Sequence, residues 1–257
     1  MSAPAEGQLR ASVAGFVGRI VFDNPGRHNA LSPAMWQGLH EVLADWGARE
    51  DVRVVVLSGA GDKAFISGAD ISAFGESSDD AATRAEQTRA WRSAVGRCPR
   101  PVIAAIRGWC LGGGVAIAMQ ADIRIACDSA RFGIPAGRLG LAYDAEMIAQ
   151  LVAVVGSARA RMLLFSAERI DAAEAARIGL VHEVVAQARF DARIDQLAAR
   201  IAANAPLALA AMKQAMPVMP RAAPQVEAAI AACLASEDFV EGRAAFRDKR
   251  EPVFRGR

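Results

Sequence analysis

The sequence predicts an α/β fold, on three observations. Short β-branched runs recur through the first half, stretches with helical periodicity or glycine turns separate them, and the chain turns almost wholly helical after Ala145. Gly15 to Phe22 and Val52 to Ser58 read as strands of a buried sheet, the second bounded by Gly59 and Gly61. Between them Ser32-Pro33 marks an N-cap and first turn, and Met35, Leu39, Val42 and Trp46 follow at helical spacing. A Gly- and Ser-containing loop from Ser67 to Ser78 leads to a polar helix over Asp79 to Arg97, stopped by Pro99 and Pro101. Strand character resumes at Val102 to Ile106. The triple glycine Gly112-Gly113-Gly114 then opens the apolar stretch Val115 to Met119, and Ile123 to Ala126 is again a strand. In the helical half, Ile170 to Glu174 is a capped start and Gly179 a helix end, so the sheet is assigned to the first half. Beyond about Phe190, Ala-rich segments broken by Pro206, Pro217, Pro220 and Pro224 predict a helical region that packs on the core or on another subunit. The expected organisation is a core over residues 1–195 and a helical C-terminal region over 196–257.

Composition narrows the function classes. At 257 residues the chain is long enough for one large domain with a substantial core. Apolar residues make up 53%, yet no uninterrupted apolar run approaches the roughly 20 residues that span a bilayer. Met1 to Gln8 is polar and small rather than signal-like. A cytoplasmic protein is expected, with no membrane partner. The net charge of +2 is dispersed, so neither nucleic acid nor an anionic surface is expected as a partner. Cys98, Cys110, Cys127 and Cys233 include no Cys-x-x-Cys pair, and His28, His40 and His182 lack ligand spacing. They read as reduced thiols and isolated imidazoles, and no metal is expected.

Two glycine-bearing segments stand out, Phe65-Ile66-Ser67-Gly68-Ala69-Asp70-Ile71 and Gly108-Trp109-Cys110-Leu111-Gly112-Gly113-Gly114. Each presents bare backbone amides to a ligand, and the first N–H groups of a following helix carry partial positive charge. Two such amides form an oxyanion hole, which stabilises charge developing on a carbonyl oxygen. A lone triple glycine more often serves only helix packing. A dinucleotide site is disfavoured, because the Gly-x-Gly-x-x-Gly spacing is absent.

Taken together, the two segments resemble the Phe-x-Ala-Gly-Ala-Asp-Ile/Leu and Gly-x-x-x-Gly-Gly-Gly motifs of the enoyl-CoA hydratase/isomerase (crotonase) family, in the same order and at the same separation. Similarity extends through Asn24-Pro25, Asn29-Ala30-Leu31-Ser32, Ala121 to Ala126, Ile170 to Val181 and the tail from Glu241-Gly242 to Phe254, covering about Gly15 to Phe254. The resemblance implies a crotonase-like spiral of ββα repeats with a C-terminal helical trimerisation region, assembled as a homotrimer or dimer of trimers. It implies a coenzyme A thioester as substrate and no further cofactor. The amides of Ala69 and Gly113 would be the oxyanion donors, Ser67, Gly68, Asp70 and Ile71 would line the coenzyme A groove, and Arg27 and Lys249 would pair with phosphates. An exposed Arg or Lys is otherwise a solvated surface charge, and Gly26 competes with Arg27 for the aligned position.

The resemblance also exposes a departure. Hydration in this family uses two glutamates, and the matching positions here are Ala116, after the triple glycine, and Ala136, after Phe132-Gly133-Ile134-Pro135. Alanine neither gives nor accepts a proton. Asp144, in Leu139-Gly140-Leu141-Ala142-Tyr143-Asp144, is the replacement candidate: aligned from Gly140 to Gly156, it falls where the family's dienoyl-CoA isomerases and 4-chlorobenzoyl-CoA dehalogenases carry an aspartate. It equally reads as the N-cap of the following helix. Glu146 would sit in that helix's first turn, and Tyr143, the only tyrosine, would touch substrate or wedge the pocket wall. An acyl-CoA isomerase or a related enzyme is the leading expectation, and a non-catalytic acyl-CoA-binding homologue is its rival.

Overall fold

Strands in the computed structural model follow the hydrophobic runs, and residues 7–68, 93–216, 231, 234–250 and 252–253 are described. The chain opens with β1 (Gln8–Ala14) and β2 (Val17–Asp23), an antiparallel hairpin turning at Gly15-Phe16. A short 3-10 turn (Pro25–Arg27) precedes α1 (Pro33–Ala48), which is followed by β3 (Val54–Gly59) and β4 (Ala64–Ile66). Then come α2 (Ala94–Arg97), β5 (Val102–Ile106), β6 (Trp109–Leu111), α3 (Gly113–Gln120), β7 (Ile123–Cys127) and β8 (Arg131–Gly133). The remainder comprises α4 (Ala145–Ser166), β9 (Arg169–Asp171), α5 (Ala172–Arg177), β10 (Glu183–Val185), α6 (Phe190–Ala202), α7 (Pro206–Ala215) and α8 (Glu237–Asp248).

The chain divides into two compact units, residues 1–132 with 171–217 and residues 133–170 with 218–257. The first is built on a six-stranded sheet in the order β1-β2-β3-β5-β7-β10, parallel from β2 onward. One face of its strands carries Val54, Val56, Ile103, Ala105, Ile125, Cys127 and Val185, and against it packs a helix stripe of Phe190, Ile194, Ala198 and Ala202. The strand residues recur every second position and the helix residues every fourth, as each geometry demands for a single buried face. All five residues of β5 are buried, which fits a parallel strand covered on both sides. In the same unit β4 and β6 pair in parallel in a second, smaller sheet. The expected boundary between residues 195 and 196 lies inside α6, and that helix belongs whole to the first unit.

Several expectations need correction. The α1 stripe runs through Leu43 rather than Val42, so Met35, Leu39, Leu43 and Trp46 are the buried positions. Gly15 belongs to a turn, not to a strand, and β1 precedes it. The sheet is not confined to the first half, since β10 joins its edge beside β7. Of the helix expected over Asp79 to Arg97, only α2 falls among the described residues.

The second unit holds a 3-10 turn (Pro135–Leu139), α4 and α8. Inside α4, Gly156 leaves helical geometry at φ 76, ψ 156. Met162 and Phe165 on α4, and Val240 and Phe246 on α8, are exposed. So are Leu207, Met212 and Met216 on or just after α7 in the first unit.

Candidate active site

The first candidate region lies where β4 and β6 run side by side. Ala64 pairs with Trp109 and Ile66 with Cys110, so the two glycine segments leave the small sheet together. A methyl group added at Gly112 would lie 3.9 Å from the Gly68 Cα, and one added at Gly68 would lie 3.9 Å from the Leu111 carbonyl oxygen. Gly112, at φ 50 and ψ −113, is a conformation only glycine adopts comfortably, and it turns the chain into α3. Gly114 is required for packing, because a Cβ there would stand 2.3 Å from the Ile66 carbonyl oxygen.

These turns put Gly113 at the first position of α3, and its amide donates to no acceptor among the described residues. An unpaired first-turn amide with the helix dipole behind it is what a developing oxyanion needs. Cys110, in the same segment, is wholly buried, and burial pushes its thiol up. It stays a protonated packing group rather than a nucleophile. Ser67 is anchored twice: its N–H donates to the His28 carbonyl at 3.1 Å and its Oγ to the Arg27 carbonyl at 3.1 Å. The Gly68 carbonyl accepts from Leu31 N–H at 3.0 Å. Arg27 ends the short 3-10 turn and is exposed, so the structure brings Arg27, Ser67, Gly68 and Gly113 into one unit. Ala69, Asp70 and Ile71 lie outside the described residues. Ala116 is 1% exposed, in a helix buried from Gly114 to Gln120.

The second region belongs to the other unit. The 3-10 turn ends at Gly140, and α8 presses against it so closely that a Cβ at Gly242 would stand 2.3 Å from the Leu139 carbonyl oxygen. Tyr143, which follows, is 8% exposed. Asp144 is the N-cap of α4: its Oδ1 accepts from Met147 N–H at 2.8 Å, with ψ 156 at the cap. The capping reading of this aspartate is therefore present in the structure, and it matches Ser32, Asp171 and Ser236, which cap α1, α5 and α8 through the same third-residue amide. Glu146 lies in the first turn, as expected. Ala136 is 6% exposed, and Lys249 is the exposed left-handed C-cap of α8.

Sequence reasoning passed over Asn29 as an individual residue. Its signal was membership of the Asn29-Ala30-Leu31-Ser32 segment that resembles the family, which assigned it no role of its own.

A family model described as enoyl-CoA hydratase/isomerase matches residues 13–257. Carnitinyl-CoA dehydratase of Escherichia coli strain K12 is 32% identical over 253 residues, covering 95% of this chain and 96% of that protein. Among solved structures, an enoyl-CoA hydratase/carnithine racemase from Magnetospirillum magneticum superposes with a TM-score of 0.78 at 37% identity, over 97% of this chain and 96% of that chain. Methylmalonyl-CoA decarboxylase, solved with 2-nitronate-propionyl-CoA, superposes with a TM-score of 0.88 at 27% identity, over 97% and 98%. The fold is thus the crotonase-like α/β fold that the glycine motifs implied. Matched along nearly its whole length by the family model and by a relative of equal extent, the chain belongs to the enoyl-CoA hydratase/isomerase family.

Proposed function

We propose that this chain moves a proton on an acyl-CoA thioester and holds the resulting enolate oxygen between the amides of Ala69 and Gly113, with Asp144 as the base. The observation that carries this is the Gly113 amide, which starts α3 directly after Gly112, the residue that approaches Gly68, and has no partner among the described residues. Removing a proton near the thioester shifts negative charge to its carbonyl oxygen, and one hydrogen-bond donor there is worth about 3 kcal/mol of barrier. Isomerisation fits better than two-glutamate hydration. It needs one base that takes and returns a proton, and alanines occupy positions 116 and 136. Ser67, Gly68, Asp70, Ile71 and Tyr143 would contact substrate, and Arg27 and Lys249 would meet the phosphates. The exposed apolar side chains Leu207, Met212 and Phe246 support assembly as a homotrimer or dimer of trimers. A cytoplasmic setting suits such chemistry.

A second chemistry, decarboxylation of a malonyl-type thioester, is favoured by the TM-score of 0.88 to a methylmalonyl-CoA decarboxylase and by the same two alanines. It uses the oxyanion hole with little acid or base help. The test is mass-spectrometric turnover of an enoyl-, dienoyl- and malonyl-type acyl-CoA panel by the wild type and by Asp144→Asn. Isomerisation lost in the variant supports the leading reading. Decarboxylation retained in the variant supports the second, and binding without turnover of any substrate would leave a non-catalytic acyl-CoA-binding protein.

A further inference from the structure

The side chain of Asn29 ties down the start of the stretch that leads to Gly68. The residue is 1% exposed and sits at φ 57, in the left-handed region that asparagine tolerates better than most residues. Its Nδ2 donates to the carbonyls of Ala60 at 3.0 Å and Ala64 at 2.7 Å, while its Oδ1 accepts from Asn24 N–H at 3.0 Å. One carboxamide thereby joins the loop before α1, the turn after β3 and the first residue of β4. Further along, Ser67 N–H bonds the His28 carbonyl and Leu31 N–H bonds the Gly68 carbonyl. Residues 28–31 and 64–68 are stitched along their length, with Asn29 at one end and Gly68 at the other.

We propose that Asn29 is a positioning residue, which fixes the Gly68 peptide beside Gly112 and so sets where a bound thioester carbonyl meets its donors. The proposal rests on the acyl-CoA reading above. The bond from Leu31 holds the Gly68 carbonyl, and with it the end of the segment that approaches Gly112. Donors at an oxyanion hole act through geometry, and a misplacement of about 1 Å can cost roughly 100-fold in rate. Water can replace the lost bonds to Ala60 and Ala64, but it does not keep two segments in register.

The experiment is difference infrared spectroscopy of crotonyl-CoA labelled with 13C at the thioester carbonyl, bound to the full chain. Asn29→Gly keeps the left-handed backbone and removes all three bonds, whereas Asn29→Asp keeps the acceptor and removes the two donors. The wild type should lower the carbonyl stretching frequency on binding. The folded variants should lose roughly half or more of that lowering while Kd stays within about threefold, because the hole and not the groove is disturbed. An unchanged frequency in variants with native circular dichroism overturns the proposal and leaves the acyl-CoA reading standing. A wild type that binds no crotonyl-CoA, or binds it without lowering the frequency, removes that reading and the proposal with it. If both variants fail to fold, hydrogen exchange on the wild type decides: crotonyl-CoA should slow exchange of the Leu31 amide, and unchanged exchange there overturns the proposal.

Discussion

The region around Gly113 and the region around Asp144 are positioned by the same device and differ in what they have left to offer. In each, a glycine lets one backbone cross another at a distance no side chain permits, Gly114 over Ile66 in the first unit and Gly242 over Leu139 in the second. The Gly113 amide then has no structural task among the described residues, whereas an oxygen of Asp144 already caps α4. An amide without a task is informative by geometry alone. A carboxylate that caps a helix has to be separated from its structural role by substitution.

The largest effect should come from attacking the crossings. Gly114→Ala should destabilise the protein by about 3 kcal/mol through overpacking against the Ile66 carbonyl, as read by urea denaturation, and should abolish acyl-CoA binding. Gly242→Ala should cost a similar amount. Survival of either variant with unchanged stability would break the parallel between the two regions. Next comes the division of labour at Asp144. Asp144→Asn retains a capping oxygen and should leave stability within about 0.5 kcal/mol, while Asp144→Ala should lose about 1 kcal/mol. Under the proposed chemistry both lose turnover by roughly 100-fold or more. Full turnover by Asp144→Asn would reduce this residue to its cap.

The smallest effect concerns the first unit alone. His182 Nδ1 accepts from Arg124 N–H at 3.0 Å, and burial, with the neighbouring Arg124 charge adding to it, holds the imidazole below its ordinary value of 6.5. The folded state then binds that proton less readily than the unfolded chain. Stability from this site is complete above 6.5 and is lost as pH falls through the window between the unfolded and the lower folded pKa. Urea midpoints at neutral and mildly acidic pH should therefore show a smaller acid loss in His182→Gln than in the wild type, and equal losses would contradict the assignment.

What was legible in the sequence followed from periodicity and turn chemistry. Ser32-Pro33 and Asp171 announced helix starts because a short polar side chain bonding an orphan amide has few substitutes. The α1 stripe differs from its expectation at one position, Leu43 for Val42, because both are apolar at helical spacing and only packing chooses between them. Strand β1 did carry a period-two signal, Leu9, Ala11 and Val13 alternating with Gln8, Arg10 and Ser12, although none of its residues is buried in the structure. The glycine segments were legible as backbone sites, yet their approach to one another depends on the β4–β6 pairing. Asn29 left no periodic trace, because its bonds reach main-chain carbonyls more than thirty residues away, at Ala60 and Ala64. Asp144 was legible in both of its roles, and a sequence has no means of choosing between them.

The pairing of β10 with β7 bears on how the chain is made. Val185 reaches its place beside Cys127 only after residues 133–170, which belong to the other unit, have left the ribosome. Until then β7 is the sheet's temporary edge, with the apolar side chains of Ile125 and Cys127 lacking their α6 cover. An uncovered apolar edge is a template for mispairing between chains. Nascent chains stopped before Glu183 should therefore aggregate, and those extended past Ala202 should not.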